Sequence, residues 1–137
     1  MSQITPALTA TALYGALCGL LHIWLGLSVG AARAKLKIFM GDGGDPYMIR
    51  VMRGQLNFVE NVPLALSMLV IAALLGLPAW AVHILGITLV VGRILHGIHF
   101  TRRDAPGWQR TVGTLLTTSV QAVLILALLT FSFGGIV

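Results

Sequence analysis

The chain has 137 residues, of which 57% are hydrophobic and only 9% are charged. Because a soluble domain carries about 25% charged residues, this composition predicts an integral membrane protein. The formal net charge of +5 does not indicate a nucleic-acid-binding protein, since the basic residues flank apolar runs instead of forming a solvated face with stacking aromatic side chains. A single cysteine, Cys18, excludes an intramolecular disulfide.

Four apolar runs divide the chain, and each exceeds the roughly 20 residues that cross a hydrocarbon core. Glycine, proline and aspartate separate the runs at 41–46, 76–78 and 104–107. A segment inside lipid must satisfy its own backbone hydrogen bonds, so the runs are expected to be helices. We therefore predict an all-α, single-domain transmembrane four-helix bundle, with helices at about 5–34, 47–76, 79–103 and 107–134.

The lysine and arginine residues are distributed asymmetrically. Most of them surround the first and third connections between apolar runs, and residues 1–32, the second connection and the C-terminal tail contain none. Short loops rich in Lys and Arg stay cytoplasmic. The pattern predicts a multi-pass protein with these two connections in the cytoplasm and both termini on the other side, in the inner membrane if the source is bacterial.

The second apolar run contains an unusual row of polar residues. Arg50, Arg53, Asn57 and Glu60 are spaced three, four and three residues apart, which places them on one helical face. Ionisable groups so far inside a membrane segment are costly and usually face a partner or a wet cavity. Two interpretations remain open: a hydrogen-bond network that fixes helix packing, or, as we favour, a polar ligand site.

The third run carries a second polar row. Arg93, His96, Phe100 and Arg103 fall on one stripe, and the helix runs antiparallel to the one before it. Counted from the end of the bundle where the charged connections lie, Glu60 and Arg93 are the same number of residues inward, so they lie at the same depth. We therefore expect these two charges to pair, which is how buried charges are normally tolerated.

Histidines offer a further interpretation. His96 and His99, three residues apart, suit a metal ion, but a third ligand is required and only Glu60 is an obvious candidate. A metal centre is therefore less favoured than a metal-free ligand site. His22 and His83 occur singly in apolar runs and are interpreted as packing or interfacial residues.

The polar rows also carry a family resemblance. The run Arg53-Gly-Gln-Leu-Asn57-Phe-Val-Glu60-Asn-Val-Pro63 resembles the second-helix signature of the membrane-associated proteins in eicosanoid and glutathione metabolism, the MAPEG superfamily. Nearly the whole chain takes part in the resemblance. It implies a homotrimer that binds glutathione as co-substrate in clefts between subunits, near the cytoplasmic side. Arg53, Asn57 and Glu60 would hold the charged ends of the tripeptide, and Arg93 and His96 would close the pocket.

The same resemblance assigns four further residues. Arg33, at the end of the first helix, and Gln55 are expected to approach glutathione from the neighbouring subunit. Arg110 matches an arginine that stabilises the glutathione thiolate in the family, and Thr111 takes the place of a hydroxyl residue present in some members. The function implied is a glutathione-dependent transferase or peroxidase acting on hydrophobic electrophiles that arrive through membrane lipids.

The residues are also compatible with this chemistry when considered alone. Glutathione carries two carboxylates and an ammonium, which a cation-rich pocket with one acid can bind, and a nearby cation favours its reactive thiolate. Some catalytic relatives have tyrosines where this chain has His96, Phe100 and Asn61, so the alternative is a non-catalytic lipid-binding or scaffold protein on the same fold. A small channel or transporter is less favoured, because no discontinuous helix is visible.

Overall fold

The computed structural model describes residues 4–134, which form four helices. Every helix is long and apolar enough to cross a membrane, and no β-strand occurs in this part of the chain. The chain is thus an all-helical, multi-pass membrane protein, as predicted. The helix ends lie within two residues of the predicted ones: α1 Ile4–Leu36, α2 Pro46–Leu74, α3 Ala79–Thr101 and α4 Gly107–Gly134.

The start of α2 shows how the connections fix the helix ends. The side chain of Asp45 accepts hydrogen bonds from the backbone N–H groups of Tyr47 and Met48, both at 2.9 Å. Pro46 follows at the first helical position, where its missing N–H costs nothing. The connection before it turns through glycines with positive φ at Gly41, Gly43 and Gly44. The glycine-rich connection therefore supplies a turn and a helix cap.

The four helices do not contribute equally to the bundle. The central helices α2 and α3 each contact all the others, whereas α1 and α4 make no close approach within residues 4–134. Between α3 and α4 the backbones nearly touch: a Cβ added at Gly113 would lie only 2.6 Å from the Gly92 carbonyl oxygen. Two sides of α2 are therefore only partly covered, one facing α4 and the other facing α1.

Much of the outer surface is apolar. Large aliphatic side chains are exposed on every helix, among them Leu20, Leu27, Ile84, Ile87 and Leu126. In water such a surface would drive association, but in a bilayer it is solvated by lipid tails. Polar side chains that are also exposed therefore need a separate explanation.

At one end of the bundle lie the connections 37–45 and 102–106, here called the basic end. A set of polar contacts, the Arg50 cluster, ties α2 to the end of α3 there. Arg50 donates to the His99 carbonyl from Nε (3.1 Å) and Nη2 (2.6 Å), and the Tyr47 hydroxyl donates to the Thr101 carbonyl at 3.0 Å. The α3 carbonyls left free at the helix end thus receive donors from α2.

Candidate functional site

A cleft of about 410 Å³ opens between α2, α3 and α4, and we call it the α2/α4 cleft. It brings together side chains that lie as many as 61 positions apart, from Arg53 to Thr114. Its lining consists of Arg53, Leu56, Asn57, Glu60, His96, Phe100, Arg110 and Thr114. Five of the residues predicted from the sequence therefore share one cavity: Arg53, Asn57, Glu60, His96 and Arg110.

The α2 wall of the cleft follows from helical spacing. Arg53, Asn57 and Glu60 lie on adjacent turns of one helix face, so all three line the cavity. Arg53 and Glu60 are exposed, and Asn57 is half-buried. Neither charged side chain forms a hydrogen bond within residues 4–134. Both charges are therefore free to bind a polar ligand.

The floor of the cleft differs from the sequence prediction. Arg93 is almost fully buried, at 2% exposure, but the expected ion pair with Glu60 within one protomer was wrong. Its guanidinium instead donates to Asn57 Oδ1 at 2.9 Å and to the Gly113 carbonyl at 3.2 Å, and its Nε has no partner. Equal depth placed Glu60 and Arg93 on one level, but the rotation of α2 turns Asn57 towards Arg93 and Glu60 towards the cleft. Arg93 thus orients Asn57 instead of lining the cavity itself.

An aromatic wall comes from α3. His96 is 3% exposed, and its ring centroid lies 4.7 Å from that of Phe100. Phe100 packs directly on α2 at Gly54, where an added Cβ would come within 2.5 Å of the Phe100 Cβ. The close approach is possible only because position 54 has no side chain. It places the Phe100 ring at the edge of the cleft.

The α4 wall supplies a second cation and a hydroxyl. Arg110 is exposed, and its guanidinium carbon lies 5.9 Å from the Phe100 ring centroid. Thr114, four residues later, lines the cleft on the same helix face. The predicted Thr111 does not line it, and its hydroxyl lies 3.5 Å from the Gly107 carbonyl. Sequence reasoning missed Thr114, although the i, i+4 spacing from Arg110 would have indicated it.

Arg33 and Gln55 lie on the other side of α2. They line a separate groove of about 380 Å³ between α1 and α2, which we call the α1/α2 groove. Arg53 and Leu56 line both cavities. Arg33 also donates to the Gly41 carbonyl at 2.9 Å and thereby secures the connection after α1. A single protomer therefore does not bring Arg33 and Gln55 into the α2/α4 cleft.

Arg50 and His99 belong to the Arg50 cluster and not to the cleft. His99 Nδ1 faces the Pro106 carbonyl at 3.1 Å, and its Nε2 faces Arg50 Nη2 at 3.1 Å. Since a carbonyl only accepts, Nδ1 carries the proton and Nε2 accepts from Arg50. Both ring nitrogens are thus used within the Arg50 cluster. No group of three or more His, Cys, Asp or Glu side chains suited to a metal occurs among residues 4–134.

The two remaining histidines occupy different surroundings. His83 Nδ1 lies 2.9 Å from the Tyr14 hydroxyl, and the two rings meet edge to face at 5.7 Å. That contact joins α1 to α3 and fits a packing role. His22 is exposed on α1 and has only the Phe58 ring nearby, with centroids 6.0 Å apart.

The fold and the cleft together define a class: a four-helix membrane protein with a cleft between its helices that is lined by two cations and one acid. The MAPEG family profile matches residues 11–130, so the chain belongs to the MAPEG family and the resemblance is confirmed. The chain is similar to the inner membrane protein YecN of Escherichia coli strain K12, with 33% identity over 93 residues that cover 68% of this chain and 71% of YecN. The YecN protein of Escherichia coli O6:H1 gives the same identity and coverage.

Proposed function

We propose that this protein is a glutathione-dependent transferase or peroxidase that acts on hydrophobic electrophiles delivered through the lipid. The observation that carries the proposal is the composition of the α2/α4 cleft. It combines Arg53 and Arg110 with the single carboxylate of Glu60 in one cavity. Membership of the MAPEG family supports the same activity, because the family includes glutathione transferases and peroxidases.

The charges of the cleft complement those of glutathione. Arg53 is suited to one of its two carboxylates, and Glu60 to its ammonium group. Asn57, held by Arg93, offers its amide N–H group to an acceptor on the peptide. Charge-assisted hydrogen bonds of this kind are about twice as strong as neutral ones. These charges support glutathione as the ligand of the polar part of the cleft.

Arg110 is positioned to assist the chemical step. A guanidinium beside the bound thiol stabilises the thiolate, which is the reactive form. In a transfer reaction the sulfur forms a bond to the electrophilic carbon, and the leaving group departs with its electron pair. In a peroxidase reaction the thiolate sulfur attacks the terminal oxygen of the hydroperoxide, the O–O bond breaks, and the alkoxide takes up a proton from water and leaves as the alcohol. The thiol of a second glutathione then attacks the resulting sulfenic acid and gives the disulfide and water.

The proposed assembly is a homotrimer in which each site lies between two subunits. Arg33 and Gln55 lie on the opposite side of α2 from Glu60, His96 and Arg110. A head-to-tail arrangement of copies would place the α1/α2 groove of one subunit against the α2/α4 cleft of the next. Such heterologous contacts form a ring when the rotation between successive copies closes. Arg33 and Gln55 would then reach glutathione held by the neighbour.

Two observations favour the alternative, a lipid-binding or scaffold protein without catalysis. Phe100 carries no phenol group to donate a hydrogen bond at the edge of the cleft, and Thr111 does not line it. A binder, however, needs no cation at the thiol, whereas Arg110 lines the cleft and is exposed. The enzyme is therefore the first proposal.

Ultraviolet difference spectroscopy with added glutathione separates the two. An enzyme should produce thiolate absorption on binding, and Arg110→Ala should abolish it. Arg102→Ala is the matched control, since Arg102 is an exposed arginine of the basic end that does not line the cleft. Glutathione binding without thiolate absorption would support the non-catalytic alternative, and no binding at all would overturn the proposal.

A further inference from the structure

The surface between α1 and α2 continues deeper into the membrane as a second cavity of about 330 Å³. Four α1 residues and five α2 residues line it: Gly15, Cys18, Gly19 and His22 from α1, and Phe58, Val59, Val62, Pro63 and Leu66 from α2. Val59 lines this cavity and the α1/α2 groove, so the two form one continuous surface. The deeper part is apolar except for His22.

His22 is therefore out of place in one protomer. Its side chain is exposed near the middle of α1, where lipid would surround it. Imidazole groups at such depth almost always face protein or a wet cavity. Within residues 4–134 the ring forms no hydrogen bond, and its neighbour Phe58 offers only an aromatic face. A polar partner from outside the protomer would remove the cost.

Glu60 is likewise an exposed polar side chain without a hydrogen-bond partner within residues 4–134, and it lies at the same depth as His22. His22 lies 14 residues before the end of α1 at Leu36, and Glu60 lies 14 residues after the start of α2 at Pro46. At 1.5 Å per residue, both are roughly 21 Å from the basic end. The contact between the rings of His22 and Phe58 gives an independent check. Because Phe58 is close to Glu60 in α2, this contact places His22 and Glu60 within about one helical turn of each other in depth. Both groups are exposed, and their charge preferences are complementary.

The two side chains face different directions from one protomer. Glu60 lines the α2/α4 cleft, whereas His22 lines the deeper part of the α1 side. They can meet only between two copies in which the α1 side of one subunit covers the cleft of the next. Gln121, also at this level, donates its amide N–H to the Asn61 carbonyl at 3.2 Å. Glu60 is the charged acceptor at this level, and a carboxylate accepts more strongly than an amide oxygen.

We propose that His22 of each subunit donates a hydrogen bond to Glu60 of the partner subunit, and that it acts as a positioning residue for the glutathione ammonium. The inference rests on the proposed head-to-tail assembly. A carboxylate has two oxygens and about four acceptor positions, so Glu60 can bind His22 and the ammonium together. Fixing one oxygen leaves the other directed into the cleft. Gly19, with no heavy atom within 4 Å of an added Cβ, leaves room for the neighbouring helix.

Chemical cross-linking tests the contact. Since Cys18 is the only cysteine, Cys18→Ala gives a cysteine-free background for His22→Cys with Glu60→Cys. A hydrogen-bonded His–Glu pair holds its Cβ atoms too far apart for a disulfide, so a short apolar bifunctional thiol reagent is used. Covalent dimers and trimers are expected. Leu20→Cys with Glu60→Cys is the control and should not cross-link, because Leu20 is exposed on another face of α1.

Glutathione affinity gives a second readout in case the double variant assembles poorly. His22→Phe keeps an aromatic ring but removes the donor, and it should raise the glutathione dissociation constant by roughly tenfold, as expected for one hydrogen bond to a charged group. His22→Gln, which can donate, should recover most of the affinity. A purely structural role would instead lower the thermal stability of both variants without separating their affinities.

The outcomes separate this inference from the proposed function. A trimer that binds glutathione, with no cross-link beyond the Leu20 control and equal affinity in His22→Phe, would overturn the pairing alone. A monomeric protein would overturn both the pairing and the assembly. Efficient cross-linking of the double variant, together with no glutathione binding by the unsubstituted protein, would support the contact and overturn both the proposed function and the positioning role of His22.

Discussion

The basic end of the bundle contains two groups of arginines, which differ in whether they have hydrogen-bond partners within the protomer. In the Arg50 cluster, Arg50 and both ring nitrogens of His99 have partners within the protomer. In the α2/α4 cleft, Arg53, Glu60 and Arg110 are exposed and line the same cavity. The sequence does not distinguish the two groups, since Arg50 and Arg53 lie only three residues apart in the same helix. Cationic residues in a membrane helix thus identify a site only where the fold leaves them without protein partners.

Phe100 lies between the two groups. Its ring centroid is 5.9 Å from the guanidinium carbon of Arg50 and 5.9 Å from that of Arg110. Arginines at this distance from an aromatic ring are weakly attracted to its face. The ring therefore contacts a structural arginine and an exposed one, and it keeps the cleft apart from the Arg50 cluster.

The largest expected effect concerns membrane topology, because each connection or terminus lies on one side of the membrane or on the other. Reporter fusions at the connections around Gly43 and Asp104 should be active only as cytoplasmic reporters, and fusions at either terminus only as external ones. The reason is the concentration of Lys and Arg around the first and third connections. An external position for either connection would place both arginine groups on the wrong side for cytoplasmic glutathione.

The next largest effect is expected for Arg110→Ala. Turnover at saturating glutathione should fall by about 10- to 1000-fold, the range for losing one preorganised electrostatic stabiliser. The lower half is expected because Arg110 is exposed, and an exposed cation interacts more weakly than a buried one. Affinity for glutathione should change less, since the thiolate charge matters most as the reaction proceeds. Unchanged turnover would remove Arg110 from the mechanism and favour the lipid-binding alternative.

Arg53→Ala should act on binding. Loss of a charge-assisted contact to a carboxylate should weaken glutathione affinity by about 10- to 100-fold, with a smaller change in turnover at saturation. Isothermal titration and steady-state kinetics measure the two separately. Lys35→Ala serves as the control, because Lys35 is an exposed cation near the same end that lines neither cavity. An equal loss of affinity in both variants would point to general electrostatics instead of a specific contact.

Arg50→Met should show the opposite pattern. It removes the donors to His99 while keeping most of the aliphatic side chain, and should reduce the free energy of unfolding by about 1.5–3 kcal/mol. Glutathione affinity should be nearly unchanged, since Arg50 does not line the cleft. Thermal unfolding in detergent, with binding measured on the same samples, provides the check. A variant with normal stability and poor binding would move Arg50 into the site.

The smallest effect distinguishes two threonines on α4. Thr114→Val should lower turnover by about 2- to 10-fold, as expected for one neutral hydrogen bond. Thr111→Val should have less effect, because the Thr111 hydroxyl lies near the Gly107 carbonyl and outside the cleft lining. The reverse order would restore the role that the family resemblance assigns to Thr111.

Sequence patterns recovered the α2 wall of the cleft well. The spacing of Arg53, Asn57 and Glu60 is periodic within one helix, and helical geometry alone then places them on one face. The same reasoning failed for Arg50, which shares their spacing but is drawn towards the carbonyl of His99. It also failed for the pairing of Arg93, because a partner on another helix depends on how each helix is rotated.

By itself, the sequence determined the number of helices, their ends to within two residues and the family. These features depend on local properties: apolar length, turn residues and the spacing of polar side chains along one helix. Only the tertiary structure decided that Arg93 bonds Asn57, that Thr114 and not Thr111 lines the cleft, and that Arg33 lies across α2 from Arg110. Those outcomes depend on helix rotation and on close crossings such as Gly92 with Gly113, which arise from packing between segments far apart in the chain.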